Sequence, residues 1–539
     1  MSTAPAPRVT IVMTARERHG LTVQAIESVV RHTPRPYRFV FLDVQSPPWL
    51  RAELDARAAG WDLEVVHHDD ALWPQQARQR FASQISSEYV VFIDNDVQVY
   101  EGWLQALVDC ADRTGAGVVG PLYLWGNGDE PPRIHMAGGR LTETLVPGGR
   151  VMDEAHQLIN ADYSALQAQL ECEPCGYIEY HCMLVRGSLV ADPDFLDPTI
   201  YCVHEHIDTA LASRARGLPV YFEPASKVNY LAFAEYRLDD LEYFRRRWLP
   251  QAAEASIARF CQKWHVVDDA RSFGPVRGFV VKHLADIDPL CPWPQPDRDV
   301  PMSASERIHT RSELLDLAQA RGYPERELLR LAEAYGLAHL LMDGGYRPCG
   351  RPFINHLVGT AGVLLRFGFR TDVVIAGLLH AAYSHGPTHP AGPQASADAI
   401  ALWLGGKGSP LERRVRRYSL RESAVAAPAR NGKGLADMML HEAEVLAVVA
   451  ANDIDMHFSG EFRYTGRKDS VSDDVLRSVA HACALIGAPG LSATLVHARA
   501  TRDDAPPRLR TEVGGSYRIR PDRRGPLPML SNAVSVLEP

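Results

Sequence analysis

Asp94-Asn95-Asp96 sets two carboxylates two residues apart, directly after the apolar run Tyr89-Val90-Val91-Phe92-Ile93. Paired carboxylate oxygens are hard ligands. They suit Mg²⁺ or Mn²⁺, which keep several waters and bridge substrate phosphates. The Asp-x-Asp pattern alone is weak, because Asp192/Asp194, Asp286/Asp288, Asp297/Asp299 and Asp453/Asp455 repeat it. Only Asp94/Asp96 follows a clean apolar strand. A turn there can aim both side chains outward, and ligands of parallel α/β sheets bind outside the carboxyl ends of strands. The alternative is a cap-and-turn pair before a helix starting near Gly102. Farther along, Glu205 and Asp208 are spaced i,i+3, so on a helix they share one face. One can act while the other orients it, with His206 between them.

Such side chains need elements to position them. Residues 8–14 and 37–44 have the continuous apolar character of buried parallel strands. Residues 22–31 between them have helical spacing. Residues 63–67 read as a third strand, 74–83 as a polar helix, 89–93 as the next strand and 102–113 as the next helix. That alternation predicts an α/β sheet with right-handed crossovers. Residues 286–301 read DIDPLCPWPQPDRDVP, a proline density that marks a linker or an extended strap. Beyond it, helical spacing dominates over 312–335, 355–367, 372–383, 395–404, 441–453 and 473–486. The expected organisation is an α/β domain over 1–270, a Pro-rich linker over 271–305, a helical domain over 306–505 and an extended or disordered tail over 506–539.

Composition narrows the function classes. The formal net charge of -9 over 539 residues, with no basic tail, argues against nucleic acid as the main partner. No stretch approaches the ~20 apolar residues of a membrane helix, and no targeting segment is visible, so a cytoplasmic location is expected. Nine cysteines do not make a disulfide scaffold at this length. Cys172-Glu173-Pro174-Cys175 is a lone CxxC without a second pair at zinc-like spacing, which reads as two reduced thiols in a loop.

The order of motifs over residues 8–265 resembles glycosyltransferase family 2 of the GT-A fold. Val12-Met13-Thr14-Ala15-Arg16-Glu17-Arg18 stands where that family opens its nucleotide pocket, and Asp43 where an acidic residue sits near uracil or ribose. Residues 74–79 (PQQARQ) resemble the helix before the metal strand, with Gln79 in place of the usual Asn. FIDND matches the metal motif, GVVGPLYL and IHMAGG match segments after it, and EYHCMLVR resembles the acceptor-side strand. HEHID, followed by Ala210-Leu211 and Arg214, resembles the acidic motif that opens the catalytic helix. The resemblance implies donor contacts at Thr14, Ala15, Arg16, Glu17, Asp43, Arg78 and Asn95, and metal ligands at Asp94 and Asp96.

Two departures stand out. His206 occupies the place of an Asp that often serves as base. The base is then Glu205 or Asp208, or His206 itself, which could also ligate metal; otherwise these residues only cap and orient the helix. No His stands near Lys227-Val228-Asn229-Tyr230, where a late metal ligand is common. Trp125-Gly126-Asn127-Gly128 and the 172–181 loop are expected to border the acceptor site. Trp248, Trp264, Tyr236 and Tyr243 either stack on sugar or pack the core.

The second half more faintly resembles the HD phosphohydrolase superfamily. Gly350-Arg351-Pro352-Phe353-Ile354-Asn355-His356 is followed by Ala376-Gly377-Leu378-Leu379-His380, and Asp453 matches the late Asp. The resemblance implies a metal site of His356, His380 and Asp453. Ala381 stands where the defining Asp would be, which favours a degenerate, all-α HD-like scaffold used for docking, dimerisation or sensing.

The expectation from sequence is therefore a glycosyltransferase using a nucleoside diphosphate sugar, UDP-sugar favoured by the resemblance, with Mn²⁺ or Mg²⁺ and inversion at the anomeric carbon. The acceptor is a secondary metabolite, a peptide or a glycan. The alternatives are a bifunctional enzyme with an active phosphohydrolase domain and a non-catalytic sugar-nucleotide-binding protein.

Overall fold

The computed structural model describes residues 7–68, 70–126, 132–231, 236–287, 297–386, 393–419, 440–465, 473–500 and 517–518. The chain divides into two compact units, residues 1–286 and 287–539.

The first unit is built on a ten-stranded mixed sheet. Its strands are β1 (Val9–Thr14), β2 (Arg38–Val44), β3 (Leu63–His68), β4 (Tyr89–Asp94), β5 (Val97–Val99), β6 (Val118–Trp125) and β7 (Arg133–Met136), then β10 (Glu173–Pro174), β11 (Cys182–Arg186) and β12 (Val220–Tyr230). A separate hairpin joins β8 (Gly139–Val146) to β9 (Gly149–His156). The order is β10-β12-β6-β11-β4-β1-β2-β3, with β5 beside β12 and β7 beside β6. β3, β2, β1 and β4 run parallel, as the apolar runs predict. Every residue of β1 and β4 is buried. Each fully buried Val, Ile or Phe contributes ~1.5–3 kcal/mol of transfer free energy, so these strands form the rigid centre of the unit.

Register then places the chemistry. Thr14 pairs with Asp94 across β1 and β4 at the carboxyl edge of the sheet. β11 runs antiparallel to β4, with Cys182 opposite Ile93. That brings His181 beside Asp94, whose backbone N–H donates to the His181 carbonyl at 3.2 Å. The Asp94/Asp96 pair does not cap a helix. Strand β5 follows it, and the next helix runs Trp103–Thr114, after Gly102 at φ 77°. A left-handed backbone there is open to glycine without steric cost. The helix Ala270–Ile287 closes this unit inside the stretch expected to begin the linker. Residues 288–296, the core of the proline-rich segment, lie outside the described residues.

Among the described residues the second unit is helical, apart from a two-stranded pairing of Gly345–Tyr346 with Tyr517–Arg518. Periodicity predicts one helix over 312–335, but two are found, Arg311–Ala320 and Glu325–Leu341. Gly322 at φ 83° ends the first, and Pro324, lacking an N–H, precedes the second. Phe353–Arg366 and Thr371–Leu379 pack with Leu440–Phe458, and the last of these is flanked by Asp473–Leu485 and Pro489–Ala500. The rest of the expected tail lies outside the described residues. Among the described residues no helix is long and apolar enough to cross a membrane.

Candidate active site

Asp94 ends β4 with its side chain fully buried. Arg16 pairs with one carboxylate oxygen, Arg78 with the other at 3.1 Å, and His181 Nδ1 lies 3.2 Å away. Burial alone would raise this carboxyl, but Arg16, His181 and Arg78 outweigh it and hold Asp94 well below the usual carboxylate range. Arg78 is itself buried and lies 4.0 Å over the Tyr180 ring. Asp96 differs. Arg18 meets its Oδ2 at 2.8 Å, while Oδ1 is buried with no hydrogen-bond partner among the described residues. Burial, with Asp94 close by, pushes Asp96 upward despite Arg18.

The segment after β1 is fastened to β4 through Asn95. Its Oδ1 accepts from the Arg16 backbone N–H at 2.9 Å, and its Nδ2 donates to Thr22 Oγ1 at 2.9 Å. Ala15 N–H donates to the Leu42 carbonyl at 3.1 Å, and Thr14 Oγ1 is buried without a partner. Glu17 pairs with Arg247. Asp43, next to last in β2, sits among other partners, with His67 Nδ1 at 2.7 Å, Arg51 Nε at 2.7 Å and Ser46 N–H at 2.8 Å. Thus Arg16, Arg78 and Asn95 gather with Asp94 and Asp96. Glu17 borders this group, with Arg16 Nε 3.9 Å from its carboxylate and Asn95 Nδ2 donating to its carbonyl at 3.3 Å, whereas Asp43 is held by other groups.

Asp240 anchors this segment from the far side, accepting from the backbone N–H of His19 at 2.7 Å and of Arg237 at 2.8 Å. Burial pushes its carboxyl up to about 6, from an ordinary 3.8. A raised folded value means the folded state holds the proton more tightly. The stabilisation is complete below about pH 4 and is lost as pH rises through about 6. Asp240→Asn cannot ionise, so its stability relative to wild type should rise over that window by up to about 3 kcal/mol. Denaturant unfolding of both proteins at pH 4 and pH 7 checks this, and a pH-independent difference would refute it.

His181 belongs to a second group that spacing did not reveal. Its Nε2 lies 2.9 Å from Glu179 Oε2, and its ring stacks on Tyr230 at 3.8 Å. His135 Nε2, on β7, lies 3.3 Å from the same oxygen. His156 Nε2, at the end of β9, lies 3.2 Å from Oε1. Burial pushes Glu179 up, but His156 and His181 outweigh it and hold the carboxylate ionised. The usable signal was the i,i+2 pairs Glu179/His181 and Glu154/His156, which share a face wherever the chain is extended.

Three groups among the described residues bring potential ligand atoms within 4.8 Å of one another: Asp94/Asp96/His181, His135/Glu179/His181 and Cys110/Cys172/Glu223. In the first, His181 arrives from the segment that enters β11. The two carboxylates, with Asp96 Oδ1 unpartnered among the described residues, fit a hard divalent cation. In the third, Cys172 faces Cys110 at 3.5 Å, while Cys175 turns to the Tyr177 carbonyl. The two thiols of the CxxC thus point to different neighbours.

HEHID opens the helix Glu205–Ala215, after His204 at φ 62°. His204 is buried against Phe260 and Phe273. Asp208 is fully buried, held by Lys263 Nζ at 2.7 Å and Trp264 Nε1 at 2.7 Å. Burial raises its carboxyl despite Lys263. His206 Nε2 lies 3.7 Å from Glu154, and its ring is near Tyr177. Glu205 is half-buried. Trp248 stacks on His283 and Tyr243 meets Trp73 edge-on, so both pack against protein. Asn127 and Gly128 lie outside the described residues.

In the second unit, His356 and His380 come together with ring centroids 5.3 Å apart. His356 Nδ1 meets Asp455 at 2.7 Å and its Nε2 meets Asn452 at 3.1 Å. His380 Nδ1 faces the Gly377 carbonyl at 2.6 Å. Asp453 faces His457 at 3.5 Å, so Asp455 is the late acid that touches His356.

With this geometry in place, comparison with known proteins becomes specific. Residues 10–189 match the family model Glycosyl transferase family 2. That stretch holds β4, Asp94, Asp96, the His135/Glu179/His181 group and all of β1 but Val9. The pre-mycofactocin glycosyltransferases of two Mycobacterium tuberculosis strains, CDC 1551 / Oshkosh and ATCC 25618 / H37Rv, are each 26% identical over 177 residues. The aligned part is 33% of this chain and 34% of theirs, so the match spans about a third of the curated relatives' length. Among solved structures, GalNAc-T7 with UDP, GalNAc and Mn²⁺ is similar at 15% identity and a TM-score of 0.33, over 52% of this chain and 55% of that one. S. aureus TarS 1-349 is similar at 13% identity and a TM-score of 0.31, over 70% and 90%.

Proposed function

We propose that this chain is a glycosyltransferase of the GT-A type that moves a sugar from a nucleoside diphosphate sugar, with UDP favoured, to an acceptor hydroxyl. The observation that carries the reading is the Asp94-Asn95-Asp96 turn at the carboxyl edge of the central strand, inside the stretch matched by the glycosyltransferase family 2 model. Asp94 and Asp96 would hold Mn²⁺ or Mg²⁺. When bound, the ion supplies positive charge to the departing diphosphate. Arg16, Arg18 and Arg78 concentrate further positive charge at the same edge. For an inverting reaction, Glu205 takes the acceptor proton. Its support is a half-buried carboxylate held by no hydrogen bond or ion pair among the described residues. Asp208, locked by Lys263 and Trp264, positions the helix. His206, beside Glu154, lines the acceptor side.

The helical unit reads best as an HD-like scaffold for docking, dimerisation or sensing. Its support is that both ring nitrogens of His356 already have protein partners.

A thermal-shift panel of nucleoside diphosphate sugars, with and without Mn²⁺, tests the donor assignment. Ligand at a hundredfold excess over Kd stabilises by about 2.7 kcal/mol. The expected result is a Mn²⁺-dependent shift with one base and sugar class that the double variant Asp94→Ala/Asp96→Ala lacks. No shift with any donor would overturn the reading.

A further inference from the structure

We propose that His135, Glu179 and His181 form a binding site for one Zn²⁺-class cation, distinct from the Asp94/Asp96 pair. Two imidazoles and a carboxylate are a common three-ligand zinc set that leaves a fourth position open. His181 Nε2 and His135 Nε2 approach the same oxygen, Glu179 Oε2, at 2.9 and 3.3 Å. The three donor atoms lie within 4.8 Å of one another. Tetrahedral bonds of ~2.0–2.2 Å place neighbouring donors roughly 3.3–3.5 Å apart, so little rearrangement seats all three on one ion.

The surroundings have the form of an outer ligand shell. Asp94 meets His181 Nδ1 at 3.2 Å, and His156 Nε2 meets Glu179 Oε1 at 3.2 Å. Such partners fix ring orientation and raise ligand basicity. His135 Nδ1 is buried with no hydrogen-bond partner among the described residues. One carboxylate faced by three imidazoles has more ring nitrogen than charge balance needs, and imidazole selects Zn²⁺ and its neighbours over Mg²⁺. The ion would tie β7 to the segment entering β11. The inference does not rest on sugar transfer.

The test uses full-length, tag-free chain stripped with chelator, then titrated with Zn²⁺ and with Co²⁺ as a spectroscopic probe. One tight ion per chain is expected, with the intense visible Co²⁺ absorption of a tetrahedral site. His135→Asn should weaken binding by about a hundredfold or more, and His156→Gln by about 10–100-fold. Asp96→Asn should bind as wild type does. Far-UV circular dichroism checks the fold of each variant, and His156, being partly exposed, gives a second variant if His135→Asn misfolds. Absence of stoichiometric binding, or unchanged affinity in both histidine variants, would overturn the site. Loss in Asp96→Asn alone would also overturn it, by placing the ion at the aspartate pair. The donor panel reads out separately, so either proposal can fail without the other.

Discussion

Asp94→Asn is expected to lower the unfolding free energy of the first unit by about 3–5 kcal/mol at neutral pH. Asp94 is fully buried, and Arg16, Arg78 and His181 all converge on it. Neutralising it leaves those groups at the end of β4 without their shared counter-charge, in a place where water cannot replace it. Breaking a buried pair costs far more than the pair's net worth, because the desolvation of the surviving charges is no longer offset. Asp96→Asn provides the internal comparison. Its one ionic partner, Arg18, also donates to Tyr236 Oη at 2.8 Å, so the cation keeps a partner. The cost there should be smaller, about 1.5–3 kcal/mol, in line with one charge-assisted hydrogen bond. Denaturant unfolding of both variants distinguishes them. Equal destabilisation would show that Asp94 does not organise the arginines.

Asp96→Asn should instead fall hardest on turnover. Its Oδ1 is buried and unpartnered, so it is the carboxylate oxygen held in readiness. Removing a charge-stabilising group from a water-excluded site costs ~10²–10³ in kcat, which is about 3–4 kcal/mol of barrier. Substrate binding through the arginines should change less. The variant should therefore lose kcat much more than it raises KM, with a smaller loss of stability than Asp94→Asn. A matched loss in both Asp96→Asn turnover and fold would assign Asp96 to structure.

The parallel half of the sheet was legible because buried strands must be apolar on both faces, and β1, β2 and β4 are. The edge position of Asp94 followed from that alone. Choosing it over the other Asp-x-Asp pairs also followed, since no other pair ends such a strand. The antiparallel insertion of β11 was not legible, because pairing direction leaves no periodic trace. With it went the meeting of His181 and Asp94, residues 87 positions apart. The His135, His156 and Glu179 group was hidden for the same reason. Its members come from β7, β9 and the approach to β11, and only the closed fold brings them together. Asp208 shows the opposite failure. Its i,i+3 spacing with Glu205 was visible, but the clamp by Lys263 and Trp264 comes from a later helix. In the second unit the helix break at Gly322 and Pro324 was written in the sequence as two familiar stop signals, yet continuous apolar spacing across it masked them.

Release of nucleoside diphosphate from a panel of donor sugars, measured for wild type and Asp96→Asn with Mn²⁺ present, tests the central assignment most directly. The account predicts release from one donor class by wild type, and release slowed by about 10²–10³-fold in the variant. Equal release by both proteins, or none from any donor with wild type and a broad range of acceptors, would contradict it.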